Sequence, residues 1–173
     1  MNITGGKFNG RVIKAPDPTL ARPTLSKVRM AVFNTLYSLL GDFENKSFLD
    51  VYSGSGIMGL EALSRGFKKA VGIEKNRTVL ELVKSNYKTL NLTPNLIYGD
   101  SLKILKRFQE DYFDVIYIDP PYLSGIYEKT FSLLPKFNIG VVEHSEEVDF
   151  TNFKILQAKD YGGKKITYIH NIN

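Results

Sequence analysis

Residues 47–59, SFLDVYSGSGIMG, constrain the fold more than any other stretch of this chain. The segment from Phe48 to Tyr52 is apolar except for one acid, a pattern typical of a buried parallel strand. The run ends at the glycines of GSG, and apolar residues at helical spacing begin at Ile57. A strand, a tight glycine turn and a helix start predict a nucleotide-binding corner, because glycines allow close approach and a helix N-terminus offers unpaired N–H groups. An ordinary strand-to-helix turn without a ligand is the alternative.

Beyond this corner the chain alternates between strand and helix patterns. Strands are predicted at 48–52, 70–74, 96–98, 113–118 and 139–143, and helices at 57–65, at 76–90, just after Asp100 and at 127–134. Such alternation predicts an α/β fold with a doubly wound, mostly parallel sheet and helices on both faces. Two closing strands, 152–158 and 164–170, have no helix between them and predict an antiparallel hairpin at one edge.

The start of the chain has a different character. Residues 1–22 are predicted to be a small basic extension outside the core, packed on a main domain of residues 23–173. Glycine and Asn-Gly turn signals in residues 3–13 predict two short strands. Thr24 is predicted to cap a helix that runs to Leu40 and ends at Gly41. Its apolar stripe consists of Leu25, Val28, Val32, Leu36 and Leu39.

The net charge of +5 is concentrated in the first quarter of the chain. Residues 1–41 hold six basic residues and one acid, whereas the remainder is neutral. A basic arm on a neutral body indicates a polyanionic partner, with a solvated basic tail as the alternative. Lys27 and Arg29 lie off the apolar stripe of their helix, where they can face such a partner. The candidate residues for contact with such a partner are Lys7, Arg11, Lys14, Arg22, Lys27 and Arg29.

Composition limits the kinds of binding site and the cellular locations that fit this chain. The chain of 173 residues has no cysteine, which excludes disulfides and thiolate zinc sites, and no metal ion is expected. No apolar run approaches the roughly 18–20 residues of a membrane span, and the first residues lack the layout of a signal peptide. We therefore expect a cytoplasmic protein without membrane contact. No long apolar surface stripe is left over, which favours a monomer.

Acidic residues lie at or near the ends of four predicted strands: Asp50, Glu74, Asp100 and Asp119. Ligands of open α/β sheets bind outside the carboxyl ends of the strands, so these acids are expected to meet at one site. An acid at the end of the second strand can accept both hydroxyls of a ribose, which makes Glu74 a candidate ribose ligand. GSGIMG is also a literal G-x-G-x-x-G with an acid about 20 residues further on, so a nicotinamide-dependent oxidoreductase remains an alternative.

The segment FDVIYIDPPY, residues 113–122, is the most specific signal. Two consecutive prolines force an extended path and remove two backbone donors, which leaves nearby carbonyls available to a ligand. Asp119 adds a carboxylate acceptor, and Tyr122 adds a flat aromatic face. Acceptors beside an aromatic plane suit an exocyclic amine on a planar base. A proline-terminated strand with a buried tyrosine is the alternative.

At this point the chain resembles the RsmD family of S-adenosylmethionine (SAM)-dependent methyltransferases, which act on the N2 amine of a guanine in bacterial small-subunit (16S) ribosomal RNA. The resemblance covers nearly the whole chain in order, with GGK at 5–7, RPT at 22–24, LDVYSGSG at 49–56, GLEALSRG at 59–66 and DPPY at 119–122. Tyr52 and Ser53 stand where the family often has Phe-Ala. The resemblance implies a Rossmann-like class I methyltransferase fold with SAM as cofactor.

The resemblance also implies roles for particular residues. Asp50, Ser53, Gly54 and Gly56 would line the methionine end of SAM. Glu74 would bind the ribose, and Asp100 with Ser101 would bind the adenine. Asp119, Pro120 and Tyr122 would hold the target guanine as the catalytic residues. The expected partner is small-subunit ribosomal RNA within an assembled or assembling 30S particle.

Two further functions remain open beside the oxidoreductase. An adenine-N6 or other nucleic-acid amino methyltransferase could use the same acceptors. A non-catalytic RNA-binding module could retain the pocket without the chemistry.

Overall fold

Seven strands form one sheet in the computed structural model, which describes residues 1–21, 24–121 and 123–172. The strands are β1 (Ser47–Asp50), β2 (Lys69–Glu74), β3 (Leu96–Tyr98), β4 (Tyr112–Ile118), β5 (Lys136–His144), β6 (Phe153–Asp160) and β7 (Lys165–Asn171). The helices are α1 (Ser26–Leu40), α2 (Ile57–Ser64), α3 (Arg77–Thr89), α4 (Ser101–Leu105) and α5 (Ile126–Phe131).

The strand order is β3-β2-β1-β4-β5-β7-β6. The first five strands pair in parallel, and β7 is antiparallel to both β5 and β6. The doubly wound sheet with an antiparallel edge hairpin is therefore confirmed. The chain order reverses between β1 and β4, and such a switch point opens a crevice at the carboxyl ends of the two strands.

Alternating side chains build two cores, one on each face of the sheet. Phe48, Val115 and Tyr117 lie in the core that packs under α1, α2 and α3. Leu49 and Ile116, their neighbours in the chain, lie in the opposite core with residues of α4 and α5. Successive side chains of a strand point to opposite faces, so strands buried on both sides have apolar residues at nearly every position.

The N-terminal segment departs from the prediction. A single antiparallel bridge joins Asn2 and Val12, and a 3-10 helix, Gly6–Phe8, occupies the turn instead of two regular strands. Ile3 and Ile13 are buried members of the main core, so the expectation that this segment lies outside the core is wrong. The main-chain N–H of Phe8 also donates to Ser64 Oγ at 2.9 Å, which ties the segment to α2.

Helix α1 also differs from the prediction at its start. Its N-cap is Leu25 and has no side-chain cap, so the predicted cap at Thr24 is wrong. The carbonyl of Thr24 instead accepts from the guanidinium of Arg29. Gly41 ends the helix as predicted, with its N–H donating to Tyr37 O at 2.9 Å. Leu25 and Leu39, the two ends of the apolar stripe, are exposed.

Across the described ranges, none of the helices combines the length and apolar character needed to cross a membrane.

Candidate active site

A cavity of about 420 Å³ lies at the carboxyl ends of the parallel strands, where the sheet order reverses. Its volume falls within the roughly 300–1,000 Å³ of small-molecule sites. One end is formed by residues that follow β1, β2 and β3, and the other by residues that follow β4. The walls include Tyr52, Gly54, Glu74, Asp100, Ser101, Asp119, Pro120, Pro121, Leu123, Ile126 and Lys164.

Three predicted cofactor ligands face the first end of the cavity, each placed by a strand end. The carboxylate of Glu74 accepts from the N–H of Gly54 at 2.9 Å and of Asn76 at 2.6 Å, which leaves lone pairs for a ligand. Asp100 caps α4 by accepting from Lys103 N at 3.1 Å. Ser101 donates to Val51 O at 2.6 Å and so joins α4 to the end of β1. Burial raises the pKa of Glu74, and its two backbone hydrogen bonds oppose that rise.

Two backbone N–H groups of the glycine turn are already hydrogen-bonded within the protein. The N–H of Gly54 is used by Glu74, and the N–H of Gly56 donates to Ser53 O at 2.8 Å. A dinucleotide pyrophosphate depends on unpaired N–H groups at such a turn. Two of the donors that it would need here are already occupied.

Ser53 and Gly56 do not line the cavity. Gly56 has a φ of +71°, and a Cβ atom built there would lie 2.2 Å from Val83 Cγ1 of α3. The absent side chain therefore lets the turn pack against α3. The hydroxyl of Ser53 lies against Gly72 of β2 in a similar way. The contacts of these two residues therefore shape the glycine turn.

Asp50, at the end of β1, is buried and does not line the cavity. Neither carboxylate oxygen completes a hydrogen bond within the described part of the chain, although the N–H of Tyr52 lies close enough to lower its pKa. Burial, followed by the charges of Asp119 and Glu74, outweighs that effect and raises the pKa of Asp50 well above its usual value. Buried carboxylates close to one another create a negative potential that favours a cationic ligand and disfavours a pyrophosphate.

Asp119 and the two prolines form the second end of the cavity. Burial and the neighbouring carboxylate of Glu143 raise the pKa of Asp119 to about 7, and the ammonium of Lys164 opposes that rise. The carboxylate thus exchanges a proton near neutral pH. Tyr122 lies outside the described residues, so its predicted stacking role stays a prediction.

Two residues beside Asp119 were missed by the sequence analysis. Glu143, at the end of β5, is 1% exposed; it accepts from the hydroxyl of Tyr117 and contacts the ammonium of Lys164. The rule that selected acids at the ends of the other parallel strands would also have selected Glu143. Lys164 follows a hairpin turn, and no local pattern marks it as part of the site.

The N-terminal segment closes the cavity through Leu20, Ala21 and Thr24. Arg29 organises this wall from within the protein, and it is 1% exposed. Its Nε lies 3.2 Å from Glu61 Oε1, and its Nη2 donates to Asn2 O at 2.6 Å. The expectation that Arg29 faces a partner is therefore wrong, because the buried carboxylate of Glu61 draws the guanidinium inward.

The other predicted RNA-binding residues have different positions. Lys7, Arg11, Lys14 and Lys27 are exposed, as a nucleic-acid contact requires. Arg22 lies outside the described residues.

Within the described ranges, no group of three or more His, Cys, Asp or Glu side chains is arranged to hold a metal ion.

A doubly wound sheet with an antiparallel seventh strand, and with acids from neighbouring strand ends around one cavity, defines a class I methyltransferase fold. Over 99% of this chain and 97% of the other, the fold matches that of the Escherichia coli protein yhhF, with a TM-score of 0.83 and 24% sequence identity.

Sequence comparison identifies the family. Residues 1–170 match the family described as Conserved hypothetical protein 95. The ribosomal RNA small subunit methyltransferase D of Buchnera aphidicola is 37% identical over 76% of this chain and 68% of its own length. The protein of the same name from Haemophilus influenzae is 34% identical over 80% of this chain and 72% of its own. The chain belongs to this family, the RsmD family, and is a methyltransferase.

Proposed function

We propose that this methyltransferase transfers the methyl group of S-adenosylmethionine to the N2 amine of a guanine in small-subunit ribosomal RNA. The observation that carries the proposal is the single cavity that joins two chemically different ends. Glu74 and Asp100 line one end, where their carboxylates would accept from the cofactor, and Asp119 and Pro120 line the other, where the carboxylate and the Pro120 carbonyl would accept from the base. The names of the Buchnera and Haemophilus relatives support ribosomal RNA as the substrate.

The charges of the site fit SAM better than a nicotinamide dinucleotide. SAM carries a sulfonium and an ammonium, which suit the negative potential around the buried carboxylate of Asp50. Glu74 would accept from the ribose hydroxyls, and Asp100 would accept from the adenine amine. The occupied N–H groups of the glycine turn argue against a pyrophosphate and thus against the oxidoreductase alternative.

When bound, SAM supplies a methyl group already activated on sulfur. The chain has to present the guanine amine in line at close range, which is largely a positioning problem. Hydrogen bonds from the amine to Asp119 and to the Pro120 carbonyl strengthen as positive charge develops on nitrogen, so they stabilise the transition state. Transfer would leave the carbon–sulfur bonding pair on sulfur, so the residues of the chain would have to hold the amine and accept its proton. Asp119 is able to take the proton that the methylated nitrogen then loses.

The exposed residues Lys7, Arg11, Lys14 and Lys27 would contact RNA phosphates. Truncation of the segment is a poor test, because Ile3 and Ile13 belong to the core. Replacing the four residues with glutamine removes charge from exposed positions only. For every phosphate that is no longer neutralised, the slope of log affinity against log salt should fall by about 0.7–0.9. An unchanged slope would exclude these residues from the RNA contact.

The direct test uses small subunits that lack native methylation, incubated with methyl-labelled SAM and digested to nucleosides. We expect the label in N2-methylguanosine, and none with Asp119→Ala, although that variant should retain SAM affinity. Label in N6-methyladenosine would replace guanine by adenine as the target. Retained RNA binding without any transfer would favour a non-catalytic binding module.

A further inference from the structure

The turn between β6 and β7 carries a lysine to the end of the cavity that holds Asp119. In this turn Tyr161 N donates to Lys164 O at 2.8 Å, and Gly163 N donates to Asp160 Oδ1 at 2.8 Å. These bonds fix the backbone of Lys164. Because β7 pairs with β5, with Lys165 opposite His144, the turn lies beside the end of β5. The side chain of Lys164 is 35% exposed and lines the cavity.

A buried carboxylate holds this lysine in place. Ile118 of β4 and Val142 of β5 are partners in parallel register, so Asp119 and Glu143 leave neighbouring strands side by side. Glu143 accepts from the Tyr117 hydroxyl with one oxygen and contacts the Lys164 ammonium with the other. Asp119 lies beside Glu143 through the strand register, Glu143 contacts Lys164, and both Asp119 and Lys164 line the same cavity, so the three groups lie at one end of it. Glu143 is therefore a positioning residue for Lys164.

Asp119 and Lys164 together offer a hydrogen-bond acceptor on one side and a hydrogen-bond donor on the other. A carboxylate acceptor and an ammonium donor lie next to each other at one end of the cavity. An ammonium has three N–H donors, and an ionised carboxylate only accepts. The Watson–Crick edge of guanine presents the N2 amine and N1–H as donors and then O6 as an acceptor. Adenine presents an amine donor, then the N1 acceptor, and a C–H group.

We propose that Lys164 donates a hydrogen bond to O6 of the target guanine while Asp119 accepts from its N2 amine and N1–H, so that Lys164 selects guanine against adenine. The inference rests on the proposed function. A base extruded from its stack is read by hydrogen bonds along its Watson–Crick edge. Adenine has a C–H group where guanine has O6, so the lysine would find no matching acceptor on that base.

The test compares two bases and three proteins. The substrate is a small subunit reconstituted with guanine or 6-thioguanine at the target position; 6-thioguanine keeps the N2 amine and N1–H but has a weaker acceptor in place of O6. The proteins are the wild type, Lys164→Met, and the control Lys165→Met, which removes an exposed charge from the next residue. Rates are measured at about pH 7.5, where most of Asp119 is ionised and both bases keep their N1–H, and SAM affinity is measured by calorimetry for each protein.

With the wild type and Lys165→Met, we expect kcat/KM to fall about ten-fold or more from guanine to 6-thioguanine, as expected for loss of a charged hydrogen bond. Lys164→Met should lose a similar factor on guanine, show less than about a two-fold difference between the two bases, and bind SAM as the wild type does. A fourth protein, Lys164→Arg, keeps a donor and should retain part of the discrimination.

Two results would overturn the role of Lys164 alone: a guanine rate for Lys164→Met within about two-fold of the wild type, or an equal loss on both bases. In the second case the lysine acts only by supporting Glu143 and Asp119. Failure of the proposed function looks different, because the wild type itself would then give no N2-methylguanosine with the natural base.

Discussion

Replacing Arg29 with methionine removes a guanidinium from the interior of the protein. In the wild type this group contacts Glu61, Asn2 O and Thr24 O, and it lies 3.2 Å from Ser26 Oγ. The variant leaves these acceptors without their donor while keeping most of the side-chain volume. We expect a large loss of folding stability, because the contacts join the N-terminal segment, α1 and α2.

The magnitude follows from burial. Removing one partner of a buried ion pair typically costs about 3–5 kcal/mol. Glu61 is itself fully buried, but it keeps Arg65 Nε at 3.2 Å and Thr4 N at 2.7 Å. The expected loss is therefore at the lower end, about 3 kcal/mol. For a chain of this length it corresponds to a fall in Tm of about 6–12 °C.

Urea denaturation followed by circular dichroism measures this loss. Lys27→Met is the matched control, since it removes an exposed charge two residues earlier on the same helix. The control should change stability by less than about 0.5 kcal/mol. The reasoning is refuted if Arg29→Met is as stable as the control and binds RNA more weakly, since Arg29 would then be an RNA ligand as the sequence suggested.

Three further outcomes are expected. Gly56→Ala should lose about 1–3 kcal/mol more than Gly10→Ala in denaturation, because both have positive φ but only Gly56 would clash, at 2.2 Å from Val83; equal losses would contradict this packing role. The kcat/KM for methyl transfer should rise with pH to a plateau above about 7, as Asp119 becomes ionised and able to accept from the amine; a flat profile from about pH 6 to 8 would exclude that requirement. In the wild type, stability should fall as pH rises from the unfolded Asp50 value of 3.8 through its raised folded pKa, since ionisation is disfavoured in the folded state. Asp50→Asn should lack this fall and show a higher Tm than the wild type at neutral pH. A Tm difference between the two proteins that is the same at every pH would argue against a buried charge at Asp50.

Much of the fold followed from local patterns. Strand β3 matches its predicted range, and the other strands differ from theirs by a few residues at the ends. The hairpin at the edge and the meeting of Glu74, Asp100 and Asp119 at one cavity were also predictable, because parallel strands bring their carboxyl ends to the same side of a sheet. The N-terminal segment was less predictable, since burial of Ile3 and Ile13 depends on the core that α1, α2 and α3 build with the sheet.

The sequence by itself determined the order of strands and helices, the crevice at the switch point and the acids around it, because alternation of apolar residues and turn chemistry act over a few neighbouring positions. Only the tertiary structure decided that Arg29 is buried, that Gly56 serves packing against α3, and that Lys164 reaches the cavity through Glu143. Each of these outcomes depends on contacts between residues far apart in the chain. A charged side chain carries no local mark of the partner that the fold will bring to it, and that partner decides whether it faces solvent or the interior.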